Sequence, residues 1–225
     1  MTDNITIVTA FFDIGRGNLP AMIRGRILPP HQHRSTETYF EFFKNLAKIK
    51  NDMVIYTTKE HAERIRNIRI MEGLGDRTNV MILPSYLPLD MTETRDNIQN
   101  IMEDETFWKS VDNPHLIEYW NSDYVLINIL KSLYVTHAIN SEVIKTDLAA
   151  WIDFGYVRTL ETLPKSLEWK YPFDKDKMHM FKMREIEPER PISDIIKTGD
   201  VYTQGCHIVG GVSVWPTFKI GRAHV

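Results

Sequence analysis

The sequence predicts a single α/β domain with a Rossmann-like sheet flanked by helices. In the N-terminal part, strand-like and helix-like segments alternate in the order βαβαβ, the pattern of parallel strands joined by helical crossovers. Later, a short apolar run from Leu148 to Ile152 ends in Asp153 and, two residues on, Gly155. An apolar run of this length, bounded by a turn signal, is typical of an interior strand buried on both faces.

The βαβαβ unit is predicted from β-branched and aromatic runs that alternate with amphipathic segments. Ser35 or Thr36 is the expected cap of the first helix, because a side-chain oxygen there can accept from a free backbone N–H. Glycines end the second helix, and Pro84 stops the third strand. The predicted elements are strand Ile5–Phe12, a helix reaching Ile49, strand Met53–Thr57, helix Glu60–Met71 and strand Asn79–Leu83.

The sequence after the βαβαβ unit predicts further helices and strands. The segment Trp120–Ile139 is apolar on most of its circumference, which predicts one long buried helix. Residues 201–215 contain two strand-like pieces around a pair of glycines. The other predicted elements are helix Met91–Met102, strand Leu148–Ile152, strand Lys177–Met183 and a short helix at Ile192–Ile196.

Composition excludes several classes of protein. The chain has 225 residues, a formal net charge of −3 and 43% hydrophobic residues, which is ordinary for a globular protein. There is no basic excess that would favour nucleic acid as a partner. A single cysteine, Cys206, excludes an intrachain disulfide framework and a cysteine-based zinc site. No signal peptide or transmembrane segment is evident, so the sequence predicts a cytoplasmic location.

The last six residues, 220–225, match one reading frame of a widely used sequencing adapter. We therefore expect them to be foreign to the natural protein, as a cloning scar would be. On this interpretation the native sequence is one domain over residues 1–219, truncated near Lys219.

Asp153 is the first candidate site residue. Ligand crevices in open α/β sheets lie outside the carboxyl ends of the strands, which is where Asp153 is predicted to be. A carboxylate there can hold a hydrated metal ion or a sugar hydroxyl, and Gly155 would let backbone or ligand come close. The alternative is that Asp153 caps a turn and does nothing more.

The loop after the first strand is basic although the whole chain is acidic. It carries Arg16, Arg24 and Arg26, and is long for a compact domain. A basic loop at a strand end is well placed to hold phosphate oxygens. The alternative is a solvated loop whose arginines pair with surface acids.

Lys131 is a charge on a helix predicted to be largely buried. Asn128, Lys131 and Ser132 are spaced i, i+3 and i+4 and therefore share one helix face. A lysine in such surroundings needs an acidic partner or an anionic ligand. It can also extend its stem so that the ammonium reaches water.

Near the C-terminus, Gly210 and Gly211 predict a bulge or a close ligand approach. Cys206 and His207 are neighbours in a strand, so their side chains should point to opposite faces. That geometry argues against a Cys–His nucleophile pair, and Cys206 is predicted to be a small core residue. The chain has no G-x-S-x-G, P-loop or H-E-x-x-H motif.

Several blocks together resemble one family. These are residues 7–17, residues 53–57, the helix around residues 128–131, residues 151–156 and residues 207–214. The chain resembles the HtrL/YibB family of bacterial proteins, which are found near lipopolysaccharide-core genes. The resemblance implies a GT-A-type mixed sheet flanked by helices, and a glycosyltransferase that uses a nucleotide-sugar donor.

The same resemblance implies site residues. A D-x-D motif that holds Mg²⁺ or Mn²⁺ would fall at Asp153, but its second aspartate is Gly155 here. Arg16, Arg24 or Lys131 would neutralise the leaving diphosphate if no metal does. Gly210 and Gly211 would lie on the acceptor side, and no catalytic base is assigned. The implied donor-site residues are Thr9, Ala10, Phe11, Asp13, Arg16, Tyr56, Thr57 and Lys131.

The expected function is therefore transfer of a sugar from a nucleotide-diphospho-sugar to a glycan, such as lipopolysaccharide or another surface polysaccharide. It predicts that Arg16, Asp153 and Gly210 meet at one crevice. The alternative is a nucleotide-binding or scaffolding module that kept the fold and lost catalysis. A Rossmann-like oxidoreductase is disfavoured, because the fingerprint G-x-G-x-x-G is absent.

Overall fold

A computed structural model of the protein describes residues 4–218. The expected domain limit at residue 219 and the suspected adapter residues 220–225 lie outside the described residues.

The centre of the protein is a six-stranded mixed sheet. Its order is β5-β4-β1-β6-β8-β7, and β2 and β3 form a separate antiparallel hairpin. The four strands β5, β4, β1 and β6 are parallel, whereas β8 runs antiparallel to both of its neighbours. The strands are β1 (Ile5–Phe11), β2 (Met22–Ile23), β3 (Arg26–Ile27), β4 (Met53–Thr57), β5 (Thr78–Ile82), β6 (Leu148–Ile152), β7 (Met178–Lys182) and β8 (Thr203–Gly211).

Seven α-helices are present among residues 4–218, and the predicted βαβαβ unit is confirmed. Ser35 caps the first helix, since its Oγ accepts from the backbone N–H of Thr38 at 3.2 Å. In this part of the chain no helix has the length and apolar character that a bilayer crossing requires. The helices are α1 (Thr36–Leu46), α2 (Lys59–Met71), α3 (Thr92–Glu103), α4 (Glu105–Ser110), α5 (Ser122–Ile129), α6 (Lys131–Asn140) and α7 (Ile192–Thr198).

Helices cover both faces of the parallel strands. The period-2 alternation of β1 sends Ile7 and Phe11 under α1 and α2, and Val8 toward α5 and α6. Strand β6 divides its side chains in the same way, with Trp151 on the α6 side. The central strands are therefore buried on both faces, as their continuous apolar sequences predict.

Two predicted elements differ from the structure. The helix expected over 120–139 is two helices, because the chain at Leu130 (φ −72°, ψ −11°) ends α5 and begins α6. The two strand pieces expected over 201–215 are one continuous strand, β8, followed by a short 3₁₀ turn at Trp215–Thr217. The irregularity of β8 is a shift of register against β7, where Met180 pairs with Ile208 but Phe181 pairs with Gln204.

Arg69 is a charged side chain in the middle of the fold. It is fully buried on α2, and burial lowers the pKa of its guanidinium to about 10. Its donors reach the carbonyls of Ala47, Ile49 and Asn51 at 2.7–3.1 Å, and the hydroxyl of Thr78 at 2.8 Å. One side chain thereby satisfies the carbonyls of the turn that leads from α1 into β4.

Candidate functional site

A cleft of about 450 Å³ opens at the carboxyl ends of β1 and β6. From β1 the chain passes to β4 and β5 on one side of the sheet, and later crosses to β6 on the other. The gap between β1 and β6 is therefore a topological switch point, the usual place of ligand crevices in open α/β sheets. The loops after both strands, residues 12–16 and 153–158, form opposite walls of the cleft.

The cleft combines positive charge with aromatic surface. Four of its lining side chains are cations and two are carboxylates, so the site carries a net positive charge although the chain is acidic. The charged residues are Arg16, Arg34, Lys131, Arg158, Asp13 and Asp153, and the aromatic ones are Phe11, Phe12, Tyr39, Tyr124, Trp151, Phe154 and Tyr156.

Arg16 is the most unusual of the cleft cations. It is only 6% exposed, yet it forms no ion pair with a carboxylate among residues 4–218. Its Nη1 donates to the hydroxyl of Tyr39 at 2.7 Å and its Nη2 to the carbonyl of Gln32 at 3.0 Å, while Nε finds no acceptor in the described part of the chain. The guanidinium lies over the ring of Tyr124 at 5.1 Å. A buried cation held by neutral groups alone favours binding of an anion.

Asp153 and Lys131 form an ion pair at the opposite wall. The Nζ of Lys131 lies 2.8 Å from Oδ1 of Asp153 and donates to the carbonyl of Gly205 at 2.9 Å. The same Oδ1 accepts from the indole Nε1 of Trp151 at 2.6 Å. Lys131 thus has an acidic partner, and at 7% exposure it does not extend into water as the sequence also allowed.

Asp153 also closes the turn after β6, because its carbonyl accepts from the N–H of Tyr156 at 2.9 Å. That carbonyl belongs to the backbone, and the carboxylate of Asp153 contacts Trp151 and Lys131 instead. The turn is therefore closed by the backbone and not by the side chain.

Asp13 holds the loop after β1 in place through hydrogen bonds of its carboxylate. Its Oδ1 accepts from the backbone N–H of Gly15 at 2.8 Å, and its Oδ2 from the hydroxyl of Thr36 at 2.6 Å. Both carboxylate oxygens therefore bind the protein itself. They tie the loop that carries Arg16 to the N-terminus of α1.

The structure brings six of the residues implied for the donor and metal or sugar positions to the cleft, and these are Ala10, Phe11, Asp13, Arg16, Lys131 and Asp153. Thr9, Tyr56 and Thr57 do not line it and are fully buried. The hydroxyl of Tyr56 is hydrogen-bonded to Nδ1 of His137 at 2.8 Å, and that of Thr57 donates to the carbonyl of Phe11 at 2.9 Å. A position at a strand end does not place these side chains at the surface, because helices cover both faces there.

Arg24 likewise lies away from the cleft. Its guanidinium donates to the carbonyl of Met102 at 2.8 Å and sits over the ring of Trp108 at 4.8 Å. This arginine of the basic loop ties the β2–β3 hairpin to α3 and α4.

Gly210 and Gly211 do not join Arg16 and Asp153 at the crevice. They lie in the part of β8 that pairs with Ala149 and Leu148, toward the amino end of β6. A Cβ on Gly210 would lie 2.3 Å from Sδ of Met178, and one on Gly211 would lie 1.7 Å from the carbonyl oxygen of Lys175. The close approach that the glycines allow is made by the protein's own chain.

The expectation for Cys206 and His207 also needs correction. The Sγ of Cys206 lies 3.6 Å from Nδ1 of His207, because β8 departs from regular pairing there and the two side chains approach each other. Cys206 lines the cleft and is only partly buried. Burial raises the pKa of its thiol and the charge of Asp153 raises it further, so the nucleophilic thiolate is disfavoured.

Sequence patterns did not identify the aromatic walls of the cleft. Tyr39 belongs to the apolar face of α1, and Tyr124 comes from a helix predicted to be buried all round. Burial raises the pKa of Tyr124 to about 12, which keeps its hydroxyl protonated. Arg158 follows β6 closely, and its position at a strand end was the one signal that could have identified it.

Gly155 couples the packing of the fold to the position of Arg16. A Cβ at Gly155 would lie 2.8 Å from Cδ1 of Tyr39, whose hydroxyl accepts from Arg16. We expect Gly155→Ala to displace this ring, to destabilise the protein by about 1–3 kcal/mol and to weaken binding of an anion in the cleft. Urea unfolding measures the first effect and calorimetric titration with UDP the second.

Gly205→Ala is the matched control for this prediction. A Cβ at Gly205 would meet no atom of the described residues within 4 Å, so the free energy of unfolding of the Gly205→Ala variant should change by less than about 0.5 kcal/mol. Equal destabilisation by both substitutions would contradict the role assigned to the Gly155–Tyr39 contact.

Comparison with known proteins gives the family. The model of the HtrL/YibB family, described as bacterial protein of unknown function, matches residues 3–221. The chain belongs to the HtrL/YibB family. Within it, the chain is 34% identical over 223 residues to Protein HtrL of Escherichia coli (strain K12), covering 97% of this chain and 75% of that protein. No solved structure matches the chain.

Proposed function

We propose that this HtrL/YibB protein is a glycosyltransferase of the GT-A type. It takes a nucleotide-diphospho-sugar as donor and transfers the sugar to a glycan acceptor, such as lipopolysaccharide or another surface polysaccharide. The observation that carries the proposal is the buried guanidinium of Arg16, which lines an electropositive cleft and has no carboxylate partner among residues 4–218.

The shape and chemistry of the cleft suit such a donor. A diphosphate needs cationic donors, and the cleft supplies Arg16 and Arg34 from the connection between β1 and α1, and Lys131 from α6. A nucleobase has a flat, apolar face that packs well on aromatic rings, and rings line the same cleft. Its volume of about 450 Å³ lies in the range typical of small-molecule sites.

The reaction is a displacement at the anomeric carbon of the donor sugar. A bond forms between this carbon and an acceptor hydroxyl oxygen, and the bond from the carbon to the diphosphate oxygen breaks. The electron pair of the broken bond leaves on the diphosphate, and the acceptor proton passes to a base or to water. The products are a glycoside and a nucleoside diphosphate. Cations fixed beside the leaving group stabilise the charge that grows on it.

A non-catalytic binding module is the second candidate. The observation that favours it is that both cleft carboxylates are occupied by the protein itself. Asp13 accepts from Gly15 and Thr36, and Asp153 from Lys131 and Trp151. Such a module would bind the nucleotide and catalyse no transfer.

The experiment that separates the two candidates measures release of nucleoside diphosphate from a panel of UDP-, GDP- and CDP-linked sugars. We expect one donor to be hydrolysed slowly alone and faster when deacylated lipopolysaccharide oligosaccharide is added as acceptor. Binding of a donor without turnover, with and without acceptor, would support the binding module. Absence of both binding and turnover across the panel would overturn both candidates.

A further inference from the structure

We propose that the ammonium of Lys131 takes the place of the divalent metal ion in this cleft, so that the protein binds a nucleoside diphosphate without Mg²⁺ or Mn²⁺. This inference rests on the proposed donor site. It concerns the group that neutralises the diphosphate.

The metal that GT-A resemblance implies does not fit the residues present. Asp153 is the carboxylate at the end of β6, and its Oδ1 already accepts from Trp151 at 2.6 Å and faces Lys131 at 2.8 Å. Asp13, the other carboxylate of the cleft, has both oxygens bound to the protein. Among residues 4–218 no group of three or more His, Cys, Asp and Glu side chains could hold a metal ion.

Electrostatics oppose a metal ion at Asp153 as well. A divalent cation on its remaining oxygen would share one carboxylate with the ammonium of Lys131. The metal ion and the ammonium would then be neighbours on one carboxylate. They would repel each other with little screening, because Lys131 is only 7% exposed to water. Departure of the ammonium would in turn remove the hydrogen bond that it donates to Gly205.

Lys131 has the geometry to act on a diphosphate directly. An ammonium has three N–H donors, and Lys131 uses two of them on Asp153 and Gly205. The third has no acceptor among the described residues, and Lys131 lines the cleft that Arg16 also lines. Asp153, Trp151 and Gly205 thus act as positioning groups, which hold the ammonium at the wall as ligands would hold a metal.

The test is calorimetric titration of the intact protein with UDP, once in EDTA and once in MnCl₂. We expect the two dissociation constants of the wild type to agree within about twofold. In EDTA, Lys131→Met should bind UDP about ten- to a hundredfold more weakly, because a charge-assisted hydrogen bond is lost. Lys131→Arg, which keeps the charge, should retain metal-independent binding.

Two controls separate binding from folding. Lys109→Met removes an exposed lysine paired with Glu105 on α4 and should bind UDP as the wild type does. The double variant Lys131→Met with Asp153→Asn removes the charge that Asp153 would otherwise keep without its ammonium partner. If the ammonium itself binds the diphosphate, the double variant should still bind UDP about tenfold more weakly than the wild type. Circular dichroism melting confirms that each variant is folded.

The outcomes distinguish this inference from the proposed function. UDP binding that requires Mn²⁺, or whose dissociation constant in EDTA changes by less than about twofold in Lys131→Met, overturns the role of Lys131 and leaves the donor site standing. Failure of UDP, GDP and CDP to bind under either condition overturns the donor site and this inference together. Binding in EDTA that Lys131→Met weakens about tenfold or more, and that Lys131→Arg retains, supports both.

Discussion

Replacing Arg16 by glutamine is expected to weaken UDP binding by about thirtyfold or more. The guanidinium is buried, and no carboxylate in the described part of the chain neutralises it, so a bound diphosphate would be its counter-ion. Truncation of one partner of a buried, hydrogen-bonded charge pair typically costs about 2–5 kcal/mol of binding. Calorimetric titration of the wild type and the variant with UDP measures the loss.

Arg26→Gln is the matched control for this prediction. Arg26 belongs to the same basic loop and carries the same charge, but it is exposed on β3 and does not line the cleft. We expect its UDP affinity to stay within about twofold of the wild type, since an exposed charge outside the site acts only through a screened field. Equal losses in the two variants would mean that the loop acts by net charge, and that Arg16 is not a specific ligand.

Arg69→Met is expected to destabilise the fold by about 3–5 kcal/mol. Methionine fills a similar volume but cannot donate to the carbonyls of Ala47, Ile49 and Asn51, which would stay buried without their partner. The loss concerns stability alone, because Arg69 lies on α2 and does not line the cleft. Urea unfolding followed by circular dichroism gives the free energy of unfolding.

The control for Arg69 is Arg66→Met on the same helix. Arg66 is exposed on α2, so its removal should change the free energy of unfolding by less than about 0.5 kcal/mol. If the urea midpoint of Arg69→Met equals that of the wild type, the hydrogen bonds of the Arg69 guanidinium add nothing to the stability of the fold, and the prediction is wrong.

Local patterns predicted the first half of the fold well. Strands β1, β4 and β5 and helices α1 and α2 follow directly from apolar runs, an amphipathic face and clear start and stop signals. The break at Leu130 was not predictable, because a segment that is apolar all round gives no change of phase where one helix ends and the next begins. The continuity of β8 was missed because glycines usually interrupt a strand.

The candidate site was predictable where chain position alone decides it. Arg16 and Asp153 follow the carboxyl ends of β1 and β6, and the parallel pairing of those strands brings both ends to one cleft. The misplacement of Tyr56 and Thr57 has the opposite cause, since burial beneath helices is a tertiary property. The pairing of Lys131 with Asp153 joins residues distant in sequence, and no local pattern indicates it.

A crystal structure of the protein with bound UDP would test most directly whether this cleft is a donor site. We predict that the nucleotide occupies the cleft between β1 and β6. Diphosphate oxygens should lie at hydrogen-bond distances of about 2.7–3.2 Å from the guanidinium of Arg16 and the ammonium of Lys131. A nucleotide bound elsewhere, or one whose diphosphate points away from Arg16, would contradict the assignment of this cleft as a donor site.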